Sequence, residues 1–320
     1  MAENTNKTKI VFMGSSAFAV PILEELNEKF TVVAVVTESD KQSGRGRKTV
    51  FSSVKICALN KNLPILQPEF LKKNETFINE IKTLNPDLIV VVAYGKILPS
   101  EILNLPKHGC LNIHPSLLPK YRGPSPIQSA LLHNEKITGV SIILMDVGMD
   151  TGDIVYSEDI EIETKDNFTT LSQKLSELSA EIMIRIIPDY LQGELPLVIQ
   201  SENEATYCQK IEKIAGEIDW QKPVAKIVNQ VRAFVEWPGS YTFFLNKKID
   251  LTEVEEYFPA SDIAGLRVGQ VLRIENQIIV KCGEGYLQIN KLKMEGKKEV
   301  PAKDFLNGYA QFGGSILGRN

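Results

Sequence analysis

The chain has 320 residues, of which 43% are hydrophobic and 24% charged, and its formal net charge is −4. This composition is typical of a globular protein and excludes a disordered chain or a fibre. The length is sufficient for two domains of ordinary size.

The N-terminal residues are polar and lead into one short apolar stretch, from Ile10 to Met13. A membrane span needs about 20 apolar residues, and the apolar core of a signal peptide is also longer than this stretch. We therefore expect a cytoplasmic protein that does not bind membranes. The four cysteines are widely scattered, at Cys57, Cys110, Cys208 and Cys282. Since no pair has the close spacing of a zinc site, no metal ion is expected.

Short apolar runs alternate with helical patterns in the first half of the chain. The runs that predict strands are Lys9–Met13, Phe30–Val36, Asp87–Ala93, Cys110–His114 and Thr138–Met145. Helices are predicted over Ala17–Lys29 and from Asn167 to Leu191. The repeated order of strand, helix and strand indicates an α/β domain with a Rossmann-like, mostly parallel sheet and helices on both of its faces.

A turn at Gly14 follows the first predicted strand and raises the alternative of a dinucleotide-binding domain. Such domains carry three glycines in the pattern GxGxxG at this turn. Here residues 15–17 are Ser, Ser and Ala, so the second and third glycines are missing. The sequence therefore argues against a nicotinamide-dependent dehydrogenase.

A polar segment with Gly193 and Pro196 follows the long predicted helix and has the composition of a linker. We place this linker at residues 190–206. The first domain, which carries the candidate catalytic residues, is then predicted at residues 1–189. A second domain is predicted at residues 207–320, where basic side chains slightly outnumber acidic ones.

The second domain has the pattern of a small barrel. One helix is predicted over Pro223–Val235, and five short β-runs follow at residues 241–245, 247–251, 269–274, 277–282 and 286–292. Five short strands of this kind are typical of an OB-fold-like β-barrel. Because OB-folds bind oligonucleotides, a non-catalytic RNA-binding module is one alternative for the whole chain.

Polar residues at two strand ends form the candidate catalytic site. Asn112 and His114 are two residues apart on one predicted strand, so their side chains share a face of the sheet. The carboxyl ends of such strands are where open α/β sheets bind ligands. The next strand ends in a loop with two glycines and three carboxylates, at Asp146, Asp150 and Asp153. A solvated turn remains the alternative for this loop.

An amide, an imidazole and a carboxylate suit the attack of a neutral amine on a carbonyl carbon. Asn112 and a protonated His114 can both donate hydrogen bonds to the oxyanion that develops. A nearby carboxylate can hold the imidazole or accept the proton that the amine loses. An RNA-binding module without catalysis would leave these side chains without a role.

Two segments resemble the signature of the folate-dependent formyltransferase family, namely residues 111–123 with Pro126-Ile-Gln, and residues 146–153. The resemblance implies that Asn112, His114 and Asp150 are the catalytic residues. It also implies that 10-formyltetrahydrofolate is the formyl donor. The residues that the resemblance assigns to binding this folate are Ser116, Leu117, Leu118, Pro119, Ile97 and Leu98.

The acceptor can also be inferred by resemblance. Thr206–Lys210, Glu295–Lys298 and Asp304–Gly308 are similar to family members that formylate the methionine of initiator tRNA, which gives N-formylmethionyl-tRNA for translation initiation. The main alternative acceptor is an amino-sugar nucleotide. Formyltransferases of that kind share residues 218–220, 231–233 and 237–239 with this chain.

Residues 40–48 predict a flexible loop with two glycines and four basic side chains. These are Lys41, Arg45, Arg47 and Lys48. Such a loop can reach phosphates, and the resemblance implies that it binds the acceptor end of the tRNA, mainly through Arg45. From charge alone, an ordinary exposed loop is the alternative. Lys210 is a further expected tRNA contact, and we expect a monomer.

Overall fold

The computed structural model describes residues 8–43, 48–260, 263 and 265–319. The chain divides into two compact units. The first consists of Met1–Pro126, Ile137–Glu161 and Ser172–Gln209. The second consists of Ile127–Lys136, Ile162–Leu171 and Lys210–Asn320. The first unit therefore includes the segment that the sequence suggests is a linker, while the domain boundaries themselves stay a prediction.

The strands of the first unit are β1 (Lys9–Gly14), β2 (Thr31–Val36), β3 (Lys41–Ser43), β4 (Lys48–Val50), β5 (Ile65–Leu66), β6 (Leu88–Val92), β7 (Cys110–His114), β8 (Ile137–Leu144) and β9 (Ile154–Glu161). Seven of them form a central sheet in the order β5-β2-β1-β6-β7-β8-β9. The pairs from β5 to β7 in this order are parallel, whereas β8 pairs antiparallel with both β7 and β9. A separate hairpin pairs β3 with β4.

The helices of this part of the chain are α1 (Val20–Lys29), α2 (Ser53–Asn60), α3 (Glu75–Leu84), α4 (Ser100–Leu103), α5 (Pro126–Leu132) and α6 (Phe168–Gln192). On one face of the sheet, Val11 and Met13 of β1 pack in a cluster with Phe77 of α3. Ile10 and Phe12 point to the other face because side chains alternate along a strand, and they are also fully buried. The sheet is thus covered on both faces, which confirms the Rossmann-like prediction.

Two strands show why some elements are easier to predict than others. All five residues of β6 are buried, and four of them are β-branched, as expected for a central parallel strand. By contrast, β9 lies at the edge of the sheet, and its residues alternate between more buried and more exposed positions. Its sequence, IVYSEDIE, contains three polar residues in a row and does not predict a strand.

The main elements of the second unit are α7 (Val224–Ala233), β10 (Ser240–Phe244), β11 (Lys247–Tyr257), β12 (Val271–Ile274), β13 (Gln277–Lys281), β14 (Tyr286–Met294), β15 (Val300–Pro301) and α8 (Ala302–Gly308). Its strands form an antiparallel sheet in the order β10-β11-β14-β13-β12, and β15 pairs with β14. The sequence predicts the first five of these strands, and the short strand β15 is additional. Apolar residues from the strands and both helices form one buried cluster.

A short segment near the C-terminus connects the two outer strands of this sheet. On one side, the Val271 amide of β12 donates to the Ser315 carbonyl at 2.8 Å. On the other side, the Gly318 amide donates to the Phe243 carbonyl of β10 at 3.0 Å. These bonds give the sheet its barrel-like form. Among the described residues, no helix has the length and apolarity that a membrane crossing requires.

Candidate active site

Two polar side chains lie on β7, an inner strand of the first unit's sheet. Asn112 and His114 are two residues apart, so both side chains leave the strand on the same face. Hydrogen bonds join β7 to β6 on one side and to β8 on the other, with Asn112 opposite Val91 and Ile143. A strand that is paired on both sides holds these two side chains in a fixed direction.

The loop after β8 is stabilised by its own first carboxylate. Asp146 Oδ1 accepts a hydrogen bond from Thr151 Oγ1 at 2.7 Å. A Cβ atom at Gly152 would lie 1.9 Å from the Leu144 carbonyl oxygen, so the close return of this loop requires glycine. The return brings Asp150 within hydrogen-bonding distance of a β7 side chain.

The structure brings the three proposed catalytic residues together around the Asp150 carboxylate. Asn112 Nδ2 donates to Asp150 Oδ1 at 3.3 Å. His114 Nδ1 lies 3.6 Å from Asp150 Oδ2, which is the length of an ion pair rather than of a hydrogen bond. The Gly123 amide donates to the same Oδ2 atom at 2.8 Å. On the far side of the imidazole, His114 Nε2 lies 2.9 Å from the Tyr121 carbonyl oxygen.

This arrangement has the donors and the acceptor that amine acylation needs. His114 Nε2 faces the Tyr121 carbonyl oxygen, whereas Nδ1, at 3.6 Å from Asp150, is beyond hydrogen-bonding distance and can donate to another oxygen when it carries a proton. Asn112 uses one amide hydrogen on Asp150 and keeps a second for another acceptor. Asp150 is an anion beside two donors and can accept a proton. The geometry therefore fits the chemistry expected from the sequence, while the role of each residue stays a proposal.

The six residues that the family resemblance assigns to folate binding differ in exposure. Ile97 follows β6 and is 84% exposed, so its side chain is open to a ligand. Ser116 is fully buried, and its hydroxyl donates to the Lys120 carbonyl at 2.7 Å, which shapes the turn after β7. The other four are buried or half-buried: Leu98, Leu117, Leu118 and Pro119. Ile97 is therefore the most accessible apolar contact in this set.

The proposed tRNA contacts are spread over two parts of the chain. Lys41 is an exposed residue in β3. Lys48 begins β4, where its backbone pairs with Ser43. The proposed contacts Arg45 and Arg47 lie outside the residues that the structure describes. Lys210 is exposed and begins the long C-terminal segment of the second unit.

Sequence reasoning misses two buried residues near Asp150. Arg122 belongs to the motif that carries the family resemblance, yet nothing in its spacing suggests that it is buried. Gln200 lies in the polar segment that suggests a linker, and its side chain donates to the Asp150 carbonyl at 2.8 Å. No local sequence pattern predicts this contact, because it joins residues that are 50 positions apart.

Comparisons with known proteins place these observations in a family context. A family model described as formyl transferase matches residues 8–187, and a second, described as formyl transferase C-terminal domain, matches residues 210–310. The methionyl-tRNA formyltransferase of Caldanaerobacter subterraneus subsp. tengcongensis is 46% identical over 312 residues, which cover 97% of this chain and 99% of that protein. The methionyl-tRNA formyltransferase of Caldicellulosiruptor saccharolyticus is 43% identical over 311 residues, or 96% and 99% of the two chains.

A solved structure supports the fold. The N-formyltransferase from Helicobacter canadensis, determined in complex with folinic acid and dTDP-3-aminofucose, aligns with a TM-score of 0.64. The alignment covers 92% of this chain and 100% of that chain, at 18% sequence identity. At this level of identity the similarity extends to the fold alone.

Proposed function

The chain belongs to the formyl transferase family, and from this premise we propose that it transfers a formyl group to the α-amine of methionyl-initiator tRNA. The observation that carries the proposal is the identity of 46% with a methionyl-tRNA formyltransferase, across nearly the full length of both proteins. Both family models match, so the similarity includes the second unit as well as the sheet that carries the candidate site.

The proposed donor is 10-formyltetrahydrofolate, a substrate consumed in each turnover. Folate binding is supported by the Helicobacter canadensis relative, which was solved with folinic acid. The exposed side chain of Ile97 offers an apolar surface to the pteridine ring. The next residue, Leu98, is buried and would hold this apolar surface in place.

The proposed reaction is one acyl transfer between two nitrogen atoms. The neutral methionyl amine attacks the formyl carbon, so a C–N bond forms and the carbonyl oxygen becomes an oxyanion. Asn112 and the protonated His114 stabilise that oxyanion by hydrogen bonds. Asp150 orients His114 and accepts the proton that the amine loses. The intermediate then collapses, the bond between the formyl carbon and folate N10 breaks, and N10 receives the proton that Asp150 accepted from the amine, so tetrahydrofolate leaves and the carboxylate is restored.

An amino-sugar nucleotide is the alternative acceptor. Its support is the fold similarity to the Helicobacter canadensis enzyme, which was solved with an amino-sugar nucleotide. That similarity comes with only 18% identity, whereas the tRNA-specific relatives reach 43% and 46%. The tRNA acceptor is therefore the better supported of the two.

A direct comparison of acceptors tests the proposal. Formyl transfer from 10-formyltetrahydrofolate is measured to charged initiator tRNA and, separately, to a dTDP-linked amino sugar. We expect transfer to the tRNA only, and we expect Arg45→Ala to lower kcat/KM for the tRNA without changing the KM for the folate. Transfer to the sugar alone would overturn the proposed acceptor but keep the chemistry. Transfer to neither acceptor would overturn the proposed function.

A further inference from the structure

We propose that Gln200, Arg122 and Glu202 form a positioning clamp for Asp150. The inference rests on the proposed catalytic role of Asp150, and none of the three clamp residues is assigned a role by the sequence motifs. Two of them come from the polar segment with linker composition. The clamp acts through Asp150 and is not itself expected to touch the substrates.

The central contact is the side-chain amide of Gln200, which is only 6% exposed. Its Nε2 atom donates to the carbonyl oxygens of Asp150, at 2.8 Å, and Gly152, at 2.7 Å. Its Oε1 atom accepts a hydrogen bond from Arg122 Nε at 3.0 Å. Both amide hydrogens and the oxygen are therefore used, and the opposite orientation of the amide would place oxygen against two carbonyls. The contacts allow one orientation only.

Arg122 connects this amide to the surface. Its side chain is 0% exposed, and its two terminal nitrogens donate to the two carboxylate oxygens of Glu202 at 2.8 and 3.1 Å. Such a paired contact compensates for much of the cost of burying a guanidinium. The hydrogen bond with Glu202 also raises the pKa of Arg122 above its ordinary value. Since the Glu202 side chain is 69% exposed, the buried guanidinium links a carboxylate at the surface to the buried amide of Gln200.

The backbone next to Arg122 holds the carboxylate end of Asp150. The Arg122 amide donates to the Thr206 carbonyl and its carbonyl accepts from the Cys208 amide, each at 2.8 Å. These bonds fix the following residue, Gly123, whose amide donates to Asp150 Oδ2 at 2.8 Å. Residues 200–208 therefore support Asp150 from two directions, at its backbone through Gln200 and at its carboxylate through Gly123.

Asp150 needs such support because of its backbone conformation. Its φ angle is 57°, in the left-handed region that favours glycine. A residue with a side chain stays in this region only where the surroundings hold it there. Without the Gln200 contacts, the loop is free to relax and the carboxylate to move away from His114. A displacement of about 1 Å can lower a catalytic rate by about 100-fold.

The test replaces Gln200 with Met, which has a similar length but cannot donate to either carbonyl. We expect kcat to fall about 10- to 100-fold, with the KM values for both substrates within about threefold of the starting protein. The double variant Asp150→Asn with Gln200→Met should be no slower than Asp150→Asn alone, because both changes act through the same carboxylate. Independent losses that multiply would overturn the proposal.

A second readout does not depend on turnover, and so separates failure of the clamp from failure of the proposed function. Hydrogen exchange of the Gly123 amide should speed up at least about tenfold in Gln200→Met, because its acceptor on Asp150 is no longer held. An unchanged exchange rate would overturn the clamp, even for a protein that formylates neither acceptor.

The chain provides a matched control for general loss of stability. Gln230 in the second unit is also buried, and its Nε2 atom donates to the carbonyls of Ala215 and Gly216 at 3.3 and 3.2 Å. Gln230→Met removes the same kind of contact away from Asp150. We expect this variant to keep kcat within about twofold and to leave the exchange of the Gly123 amide unchanged. Equal effects of the two variants would show that Gln200 has a structural role only.

Discussion

At the scale of single residues, the proposed reaction depends on a carboxylate that is surrounded by donors. Asp150 accepts hydrogen bonds from the Asn112 side chain and from the Gly123 amide, and it faces the imidazole of His114. All of these contacts are made by the carboxylate oxygens of Asp150, and they hold the carboxylate beside the imidazole. The charge of Asp150 should therefore matter more than its shape.

Asp150→Asn tests this expectation, since it removes the charge but nearly keeps the volume. We expect kcat to fall about 100- to 10,000-fold, the usual range for loss of acid–base catalysis, with little change in thermal unfolding. Initial rates of formyl transfer at saturating substrates measure the effect. Asp159→Asn is the control, because Asp159 is an exposed aspartate on β9. If both variants were equally active, Asp150 could not be the proposed catalytic group.

At the scale of elements, the loop between β8 and β9 depends on Gly152. A Cβ atom there would lie 1.9 Å from the Leu144 carbonyl oxygen, a backbone atom that cannot move aside. Gly152→Ala should therefore displace the loop, lower kcat at least about tenfold and destabilise the protein by about 1–3 kcal/mol, as overpacking does. Gly308→Ala, where nothing lies within 4 Å of the added methyl, is the control for the rate and the unfolding curve. Normal activity in Gly152→Ala would contradict this need for glycine.

The hairpin of β3 and β4 follows Asp40, whose carboxylate is held by two side chains. Lys55 Nζ donates to both carboxylate oxygens of Asp40 at 2.7 Å, and Gln67 Nε2 donates to one of them at 2.9 Å. The hydrogen bonds from Gln67 and Lys55 lower the pKa of Asp40 below its ordinary value of 3.8. An acidic group whose pKa is lower in the folded state stabilises the fold at pH values above its ordinary pKa. This stabilisation is lost as the pH falls through the lowered pKa. The contacts of Asp40 with Lys55 and Gln67 should thus stabilise the fold in full at neutral pH.

Loss of these contacts of Asp40 should affect the tRNA more than the folate. Lys55→Met leaves Asp40 without its cation, so we expect the start of the hairpin to loosen and the KM for the tRNA to rise several-fold. Both kcat and the KM for 10-formyltetrahydrofolate should stay unchanged. Lys61→Met is a suitable control, because Lys61 lies just after the same helix and contacts Glu24 instead. A rise in the KM for the folate alone would contradict this role of the hairpin.

The same scale shows which features a sequence can reveal. β6 is predictable because both of its faces are buried, so its whole length is apolar. Asn112 and His114 are also accessible to prediction, because their spacing on β7 fixes their common face. The contact between Arg122 and Gln200 is not accessible to prediction, because the two residues are 78 positions apart. A hydrogen bond over such a distance leaves no periodic pattern in the sequence.

At the scale of the whole molecule, buried thiols connect stability to pH. Burial raises the pKa of Cys110 in the first unit, and of Cys282 in the second, from 9.0 to about 12. Above pH 9 the unfolded chain releases these protons while the native state keeps them. The unfolded state then binds fewer protons, so the free energy of unfolding falls as the pH rises.

We expect this fall to approach about 1.4 kcal/mol per pH unit for each thiol above pH 9. Urea unfolding between pH 8 and 10 measures it. The buried tyrosines Tyr94 and Tyr190 add to the fall only toward the upper end of this range, because their ordinary pKa is 10.0 and burial raises it to about 12 in the folded state. Cys282→Ala should reduce the pH dependence of the second unit only. A free energy of unfolding that does not change over this range would contradict the burial of both thiols.

The late position of Gln200 in the chain determines when, during synthesis, the loop around Asp150 can take its folded form. Asn112, His114 and Asp150 leave the ribosome before Gln200, and the first compact unit includes residues up to Gln209. A nascent chain that ends near residue 189 can contain every strand of the seven-stranded sheet and still lack residues 200–208, which hold Asp150 through Gln200 and fix the backbone beside Gly123. We therefore expect the loop that carries Asp150 to reach its final conformation only after translation has passed residues 200–208, the segment that has the composition of a linker.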